Sequence, residues 1–370
     1  MCLVCDGAVQ LTEKELFGNI SGYPSGLYPF KIGVCEKCGL VQKEISQAYM
    51  GKMEAVYAEN YTFFTQGQSV VEGGERDRGL RVVESLEEMY KEGLDLLDYG
   101  CGGGHFLSLM ASVKPCWNLY GADVSAINQK DLMKSANLKE FFILGKEISK
   151  TFDVVSLNMV LEHLFAPLET LSKIHKLLRE NGRLVIRIPD FKHLMTDVFI
   201  YEHTAHYTKE SLERLLNQSG FVVEKEIAGI PDIEIAVIAK KVSKVESCVT
   251  AASAGGGHYS LMCVIEGVLK ILNRVERLEG MYGVFGVNGF GAFIANYFPK
   301  KILFLVDEDR EKWNLKFLDK AIISPNEAKK PILLAFRNPE ATDEMYKKLR
   351  LKYPNVEFIN LFKECAQWNV

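Results

Sequence analysis

The sequence lacks the features that mark secretion, membrane insertion and nucleic-acid binding. No stretch approaches the ~18 consecutive apolar residues of a membrane span, and the N-terminal stretch MCLVCDGAVQLTEKELF does not join a basic segment to an apolar one. Lysine and arginine (44) nearly balance aspartate and glutamate (48), which gives a net charge of -4. Such a chain has no general attraction for nucleic acid or an anionic membrane. We therefore expect a cytoplasmic protein that binds neither.

The sequence also lacks low-complexity segments. Hydrophobic residues make up 48% and charged residues 25% of the 370 positions, as in chains that fold throughout. Domains usually hold about 100 to 200 residues, so this length predicts two or three of them. Nothing in the composition indicates the oligomeric state.

Cysteine is present in an odd number, nine, in a chain without a secretion signal, which favours thiols and metal thiolates over disulfides. Four of the nine form two CxxC pairs, Cys2 with Cys5 and Cys35 with Cys38. Two such pairs supply the four thiolates that zinc prefers in a closed structural site. The alternatives are four unrelated buried cysteines or a redox CxxC, and no βαβ pattern surrounds either pair to favour the latter.

The centre of the chain predicts alternating strands and helices. LDLLDYGCGGGHFLSLMA reads as a strand, a glycine turn at Gly100, Gly102 and Gly104, and a helix. About twenty residues later, NLYGADVS predicts a second strand that ends at Asp123, where a carboxylate can accept hydrogen bonds from ribose hydroxyls. This α/β alternation predicts a mostly parallel sheet. A nicotinamide-binding turn is the alternative. It is disfavoured because His105 stands where the GxGxxG motif has its third glycine.

The C-terminal third repeats the same pattern on a smaller scale. Residues 243–262 are rich in small residues and predict a linker before a helix. GVFGVNGFGAFIANYF then predicts a strand, a glycine turn at Gly286, Gly289 and Gly291, and a helix. The turn indicates either a second nucleotide site or a tight connection, and the sequence leaves both open.

The motifs DYGCGGGHF, GADVS and FDVVSLNMVLEHL, in this order, resemble those of class I S-adenosylmethionine-dependent methyltransferases. The resemblance implies that Gly100, Gly102 and Gly104 border the methionine and ribose of the cofactor. It also implies that Asp98 ends the first strand beside them, that Asp123 holds the ribose hydroxyls, and that Asn158 lies beside the cofactor. Glu162 and His163, in VLEHL, are interpreted as a polar helix start.

The order of the whole chain resembles that of three-domain sugar C-methyltransferases, which act on nucleotide-linked keto sugars in deoxysugar or surface polysaccharide pathways. The resemblance implies a zinc-binding domain at 1–60, a Rossmann-like methyltransferase core at 61–242 and a smaller Rossmann-like domain at 243–370. In this family YAENYTFFTQGQS would be a tyrosine-rich segment that supplies catalytic phenols from Tyr57 and Tyr61. Phe63 replaces a further tyrosine.

The segment IYEHTAHYT, residues 200–208, resembles the catalytic segment of the same family. The resemblance implies that His203 is the general base that removes a carbon-bound proton, which suits a side chain with an ordinary pKa of about 6.5. Glu202 would orient the imidazole or bind a sugar hydroxyl. Tyr201 stands where the family has its first histidine. His206 is interpreted as structural, because HYT also predicts a helix start with Thr208 as N-cap.

A metal site in this segment is disfavoured, because an unbroken helix would not place Glu202, His203 and His206 on one face. Two other functions remain open: O-methylation of a sugar or other hydroxyl, and a non-catalytic adaptor that binds the cofactor. The sequence does not specify the sugar, the nucleotide or the carbon that receives the methyl group.

Overall fold

The computed structural model describes residues 1–13, 15–20, 27–58, 75–86, 92–243, 254–287, 290–317, 319–336 and 338–363. Contacts divide the chain into two compact units. The first unit contains residues 1–9, 35–192 and 204–253, and the second contains residues 10–34, 193–203 and 254–370. The domain limits taken from the sequence stay a prediction.

Strands and helices alternate through most of the described chain. The strands are β1 (Val9–Leu11), β2 (Leu16–Gly18), β3 (Tyr28–Phe30), β4 (Ile32–Cys35), β5 (Val41–Lys43), β6 (Asp95–Tyr99), β7 (Asn118–Asp123), β8 (Glu140–Ile143), β9 (Phe152–Asn158), β10 (Leu178–Pro189), β11 (Ala205–His206), β12 (Phe221–Glu226), β13 (Glu234–Lys241), β14 (Tyr282–Phe285), β15 (Ile302–Val306), β16 (Lys316–Phe317), β17 (Lys320–Ile323), β18 (Ile332–Leu334) and β19 (Phe358–Asn360). The α-helices are α1 (Gln47–Ala58), α2 (Glu75–Ser85), α3 (His105–Val113), α4 (Gln129–Ser135), α5 (Pro167–Leu177), α6 (Lys209–Gln218), α7 (Ala254–Arg277), α8 (Phe290–Tyr297) and α9 (Pro339–Lys352).

A seven-stranded sheet forms the centre of the first unit, in the order β12-β13-β10-β9-β6-β7-β8. The run from β10 to β8 is parallel, and β13 pairs antiparallel with both β10 and β12. The parallel core predicted from the sequence is therefore confirmed. Because parallel strands end at the same edge, the residues after β6, β7 and β9 are brought together there.

Alternate residues of the central strands pack into two hydrophobic clusters. Leu97 and Ile186 belong to one cluster, whereas Leu96 and Val185 belong to the other. Both faces of the sheet are covered, as expected for a parallel sheet whose strands are apolar throughout. Each fully buried leucine or isoleucine contributes about 1.5 to 3 kcal/mol of hydrophobic stabilisation.

The second unit contains its own six-stranded sheet, in the order β16-β17-β15-β14-β18-β19. The five neighbouring strands β17, β15, β14, β18 and β19 are parallel, and β16 pairs antiparallel with β17. In the glycine turn after β14, Gly286 has φ 93°, and a Cβ at Gly291 would lie 2.3 Å from the carbonyl oxygen of Phe285. Both glycines are thus required by the tight connection, and Gly289 lies outside the described residues.

Two boundaries differ from the sequence prediction. Helix α7 begins at Ala254, so the second part of the predicted 243–262 linker is helical. Burial of Leu261, Val264 and Val268 along α7 offsets the low helix propensity of its glycine-rich start. After β9, the residues Leu161–His163 form a 3₁₀ turn, and the α-helix begins only at Pro167. Among the described helices, none is long and apolar enough to cross a membrane.

Candidate functional site

The glycine turn between β6 and α3 forms a tight loop at the carboxyl edge of the sheet. Gly100, Gly102 and Gly104 have φ angles of 80°, 50° and 75°, a region that other residues rarely adopt. A Cβ at Gly104 would lie 1.9 Å from Leu132 Cδ2, and one at Gly100 would lie 2.8 Å from Val160 Cγ2. A Cβ at Gly102 would meet no atom within 4 Å. Gly100 and Gly104 therefore allow close packing, whereas Gly102 faces open space.

Asp123 ties the end of β7 to this turn. Its Oδ2 accepts a hydrogen bond from Gly102 N at 2.8 Å, and its Oδ1 accepts one from Ser125 N at 3.1 Å. Asn128 Nδ2 also donates to Gly102 O, at 3.2 Å. An ionised carboxylate has about four acceptor positions, so Asp123 keeps capacity for ligand hydroxyls.

Asp98, at the end of β6, is a buried carboxyl group. Ser156 Oγ donates to Asp98 Oδ1 at 2.7 Å, and Asn158 Nδ2 donates to the same oxygen at 3.4 Å. Burial raises the pKa of Asp98 to about 6, although the two hydrogen bonds oppose that shift. Asn158 Oδ1 is buried and has no hydrogen-bond partner among the described residues. Together, Asp98 and Asn158 offer acceptors for a ligand that carries N–H groups.

The chain that leaves β9 runs past the glycine turn. Met159 has φ 53°, a left-handed conformation that costs a non-glycine residue about 1 to 3 kcal/mol. Val160, the next residue, contacts the turn at Gly100. Strain of this kind is most often kept at sites that bind or react.

Tyr57 and His163 are brought together beside this segment. Tyr57 Oη lies 3.3 Å from His163 Nδ1, and His163 Nε2 lies 3.9 Å from Glu162 Oε1. Tyr57, a predicted catalytic phenol, thus has His163 as a polar partner. From the sequence, His163 was interpreted only as part of a helix start. Tyr61 and Phe63 lie outside the described residues.

His203, in the second unit, pairs with a carboxylate that the sequence analysis did not identify. Its Nδ1 lies 2.8 Å from Asp197 Oδ1, and both side chains are buried. When the ring is neutral and Nδ1–H donates to this carboxylate, the lone pair of the imidazole lies on Nε2. The predicted partner, Glu202, is also buried. The six-residue separation of Asp197 from His203 gives no periodic signal from which the pairing could be inferred.

The residues after His203 start α6. Thr208 is the N-cap: Ser211 N donates to Thr208 Oγ1 at 3.4 Å, and Thr208 N donates to Ser211 Oγ at 2.9 Å. The predicted cap is therefore confirmed. His206 lies on β11, where it pairs with Val41 of β5, and its ring centroid lies 5.9 Å from that of Phe191.

Cys2, Cys5, Cys35 and Cys38 come together as a cluster in the first unit, with all four sulfur atoms within 4.8 Å of one another. Cys2 Sγ lies 3.5 Å from Cys38 Sγ, and Cys5 Sγ lies 3.4 Å from Cys35 Sγ. A tetrahedron of sulfurs around zinc has edges of about 3.8 Å, so the set fits that ion. The hydrogen bond from Cys2 lowers the pKa of Cys38 to about 5, whereas the same hydrogen bond raises the pKa of Cys2 and burial raises that of Cys5, so Cys38 is the member with thiolate character.

The cysteine cluster also belongs to the core of the first unit. Cys2, Cys35 and Cys38 pack in the same hydrophobic cluster as Ile186 of β10 and Leu212 of α6. Arg214, on α6, donates from Nη1 to Cys38 O at 2.9 Å. A change at the cysteines should therefore affect β10 and α6 of the first unit directly.

Comparison with known proteins identifies one domain of the chain. Residues 75–226 match a family described as "Methyltransferase domain". A mitochondrial ubiquinone biosynthesis O-methyltransferase of Candida albicans is 29% identical over 181 residues, which cover 45% of this chain and 54% of that protein. A second one, of Schizosaccharomyces pombe, is 29% identical over 124 residues, covering 28% of this chain and 43% of that protein. The chain thus spans about half the length of the curated relatives it matches.

Solved structures match this chain at lower sequence identity. The Burkholderia thailandensis 1,6-didemethyltoxoflavin-N1-methyltransferase, solved with S-adenosylhomocysteine, is 16% identical, with a TM-score of 0.43 over 60% of this chain and 100% of that one. The family match covers the glycine turn, Asp98, Asp123, Asn158 and His203. The match identifies residues 75–226 as a methyltransferase domain.

Proposed function

We propose that this protein transfers a methyl group from S-adenosylmethionine to a small molecule, with the cofactor bound at the carboxyl ends of β6, β7 and β9. The open space at Gly102, beside Asp123 and within the matched domain, is the observation that carries the proposal. Asp123 would accept hydrogen bonds from the ribose hydroxyls. Asp98 and Asn158 Oδ1 would accept them from the ammonium group of the methionine part.

The proposed substrate is a nucleotide-linked keto sugar, methylated at a carbon beside the ketone. His203 Nε2 would take the proton from that carbon, and the electron pair of the C–H bond would form an enolate. The enolate carbon would then be the nucleophile toward the methyl group that bound S-adenosylmethionine supplies, whose sulfur would keep the electron pair of the methyl–sulfur bond. The cofactor supplies an electrophilic methyl group, so this chemistry needs no metal.

The chain's own residues would prepare the proton transfer. Asp197 would hold the imidazole through its contact with Nδ1, so that in the neutral ring the proton stays on Nδ1 and the lone pair is on Nε2. The phenol of Tyr57 would donate a hydrogen bond to the enolate oxygen, a contact that becomes stronger as negative charge develops there. Glu202 and Tyr61 stay candidates for contacts with sugar hydroxyls.

A second candidate function is O-methylation of a hydroxyl group. The observation that favours it is the name of the relatives, ubiquinone biosynthesis O-methyltransferases. The same dyad of Asp197 and His203 would then remove a proton from oxygen rather than carbon. The fold and the cofactor residues would be unchanged.

Mass spectrometry in heavy water separates the two functions. Nucleotide-linked 4-keto sugars are incubated with the protein, with and without S-adenosylmethionine. Carbon methylation predicts deuterium uptake without the cofactor and a methyl mass gain with it, and both should be lost in His203→Ala. The exposed His193 provides a matched control, because His193→Ala should retain both signals. A methyl gain without uptake would support the oxygen acceptor, and neither signal would contradict the proposed substrate class.

We also propose that zinc binds Cys2, Cys5, Cys35 and Cys38 in a structural role. Four sulfur ligands fill a tetrahedral shell and leave no position for a reacting water molecule. The spacing of the sulfurs and the thiolate character of Cys38 support this assignment.

A further inference from the structure

The chain between the two CxxC pairs contains a short hairpin that zinc binding does not require. Strands β2 and β3 pair antiparallel, and residues 10–34 belong to the second unit, whereas the four cysteines belong to the first. The segment 193–203, which carries Asp197 and His203, also belongs to the second unit. A closed zinc site is complete with its four sulfur ligands, so the hairpin calls for another explanation.

Two successive hydrogen-bonded turns separate Asp197 from His203. Ile200 N donates to Asp197 O at 2.9 Å, and His203 N donates to Ile200 O at 3.2 Å. Ile200 is thus the junction of the two turns. The contact between His203 Nδ1 and Asp197 Oδ1 spans both turns. The angle at which the imidazole meets the carboxylate therefore depends on the backbone at the junction.

The end of β2 holds this junction through the backbone. Asn19 N donates to Phe199 O at 3.1 Å, and Tyr201 N donates to Asn19 O at 2.8 Å. The two bonds form a parallel bridge between Asn19 and Ile200. A Cβ at Gly18, the preceding residue, would lie 2.6 Å from Phe199 O. Glycine at this position therefore allows the two backbones to approach closely enough to pair.

Aromatic side chains fix the residues on either side of the junction. The ring of Tyr201 lies 5.1 Å from that of Tyr28, on β3. The ring of Phe199 lies 5.1 Å from that of Phe293, on α8. Both distances fall in the range of about 4.5 to 7 Å at which aromatic pairs attract each other. The junction is thus held by backbone pairing with the hairpin and by packing on the hairpin and α8.

We propose that the hairpin of β2 and β3 is a positioning element for the base, in which Asn19 fixes the junction at Ile200 and thereby the angle at which His203 meets Asp197. The inference rests on the proposed function, because it takes His203 as the base. Asn19 acts through the backbone of the segment and is not itself a catalytic residue. Misplacing a reacting group by about 1 Å can cost about 10² in rate, so a distant support of this kind affects catalysis.

The first test follows the imidazole of His203 in Gly18→Ala. The new methyl group would push the hairpin away from Phe199 O, and Gly18 is not in the left-handed region, so alanine adds no backbone strain. Nitrogen-15 NMR of labelled histidine, assigned with His203→Ala, shows which ring nitrogen carries the proton. Neutral His203 should be the Nδ1–H tautomer in the natural protein and a mixture of tautomers in Gly18→Ala. An unchanged tautomer in a folded Gly18→Ala protein would overturn the inference.

The second test measures the rate at which nucleotide-linked 4-keto sugars take up deuterium in heavy water without cofactor. Gly18→Ala should lower this rate about 10- to 100-fold. S-adenosylhomocysteine should still bind within about twofold of its natural affinity, because Asp98 and Asp123 lie in the first unit.

Gly33→Ala is the matched control for this measurement. A Cβ at Gly33 would lie 2.2 Å from Gln10 O, so this variant also strains the 10–34 stretch, but against β1 instead of the segment that carries the base. Its exchange rate should stay within about threefold of the natural one. An equal loss of exchange in Gly18→Ala and Gly33→Ala would indicate general loosening and contradict the positioning role.

Ring variants keep the inference testable if Gly18→Ala does not fold. Tyr28→Ala removes the ring that packs on Tyr201 and should slow exchange about tenfold, whereas Tyr28→Phe keeps the ring and should restore the rate. Phe17, on β2 of the same hairpin, is 42% exposed, so Phe17→Ala should exchange normally. Normal exchange in Tyr28→Ala would count against the hairpin.

A double variant separates the inference from the proposed function. Asp197→Asn already disturbs the base, so adding Gly18→Ala should slow exchange little further. Fully additive losses would mean that the hairpin does not act through Asp197 and His203. If the natural protein takes up no deuterium into any sugar of the panel, the proposed substrate class fails instead. The histidine spectra then still decide whether the hairpin positions His203.

Discussion

At the scale of single residues, Asp98 combines a cost to folding with a proposed role in binding. Its pKa in the folded chain, about 6, lies above the ordinary value of 3.8. The folded state therefore binds the proton more tightly than the unfolded state. Stability that is present below about pH 4 is lost as the pH rises through 6, and the difference at pH 8 is about 3 kcal/mol. A bound ammonium group would offset this loss.

Asp98→Asn should accordingly stabilise the protein without cofactor at pH 8 and have little effect at pH 4, because the amide removes the buried charge and nearly keeps the shape. The expected rise in melting temperature at pH 8 is a few degrees. S-adenosylhomocysteine should stabilise the natural protein and not this variant. Thermal unfolding at the two pH values measures both effects, and an equal shift at pH 4 and pH 8 would contradict the account.

Asp197 is the second residue whose role can be isolated. Asp197→Asn keeps the shape of the side chain but removes the charge that fixes the tautomer of His203, so kcat should fall by about 10² to 10⁴ with KM changed little. The double variant Asp197→Asn with His203→Ala should be no slower than His203→Ala alone, because the two residues act as one unit. Steady-state kinetics measure both. Additive losses would mean that Asp197 acts independently of His203.

At the scale of elements, the glycine turn separates packing from binding. Gly104→Ala should destabilise the protein by about 3 kcal/mol, because the new methyl group overlaps Leu132 Cδ2 and the backbone has φ 75°. Gly102→Ala meets no neighbour, so its cost should be about 1 kcal/mol, from the left-handed backbone alone. Its main effect should instead be weaker cofactor binding. Urea unfolding measures the stability of each variant, and calorimetry measures its cofactor binding. Equal stability losses and equal binding in the two variants would contradict the prediction.

The cysteine cluster packs against β10 and α6 of the first unit. Because three of its sulfurs pack with residues of β10 and α6, Cys35→Ser should remove the metal and lower the melting temperature of the whole first unit. Metal analysis should give one zinc per chain for the natural protein. Cys116 is exposed, and Cys116→Ser should retain both the zinc and the melting temperature. Unfolding that is insensitive to the loss of zinc would remove the structural role.

Much at this scale could be predicted from the sequence, because its signals are local. The strand–turn–helix pattern of LDLLDYGCGGGHF, the end of β7 at Asp123 and the Thr208 cap each depend on residues close together in the chain. The spacing of the two CxxC pairs predicted the cysteine cluster. The start of α7 was predicted too late, because its burial depends on distant residues that override helix propensity.

At the scale of the whole molecule, the missed residues share one physical cause. Asn19 reads from the sequence as one polar position in FGNISG, and its pairing with Ile200 joins two segments that are far apart in the chain. Asp197 pairs with His203 through an irregular segment that has no periodicity to reveal it. Strand order and loop shape are long-range properties, and local patterns do not encode them.

The central claim concerns the cofactor, and calorimetric titration with S-adenosylhomocysteine tests it most directly. The account predicts one binding site per chain in the natural protein and at least tenfold weaker binding in Asp123→Ala, because the carboxylate that meets the ribose is lost while the strand that carries it remains. Binding that is absent from the natural protein, or unchanged in Asp123→Ala, would contradict the proposed site.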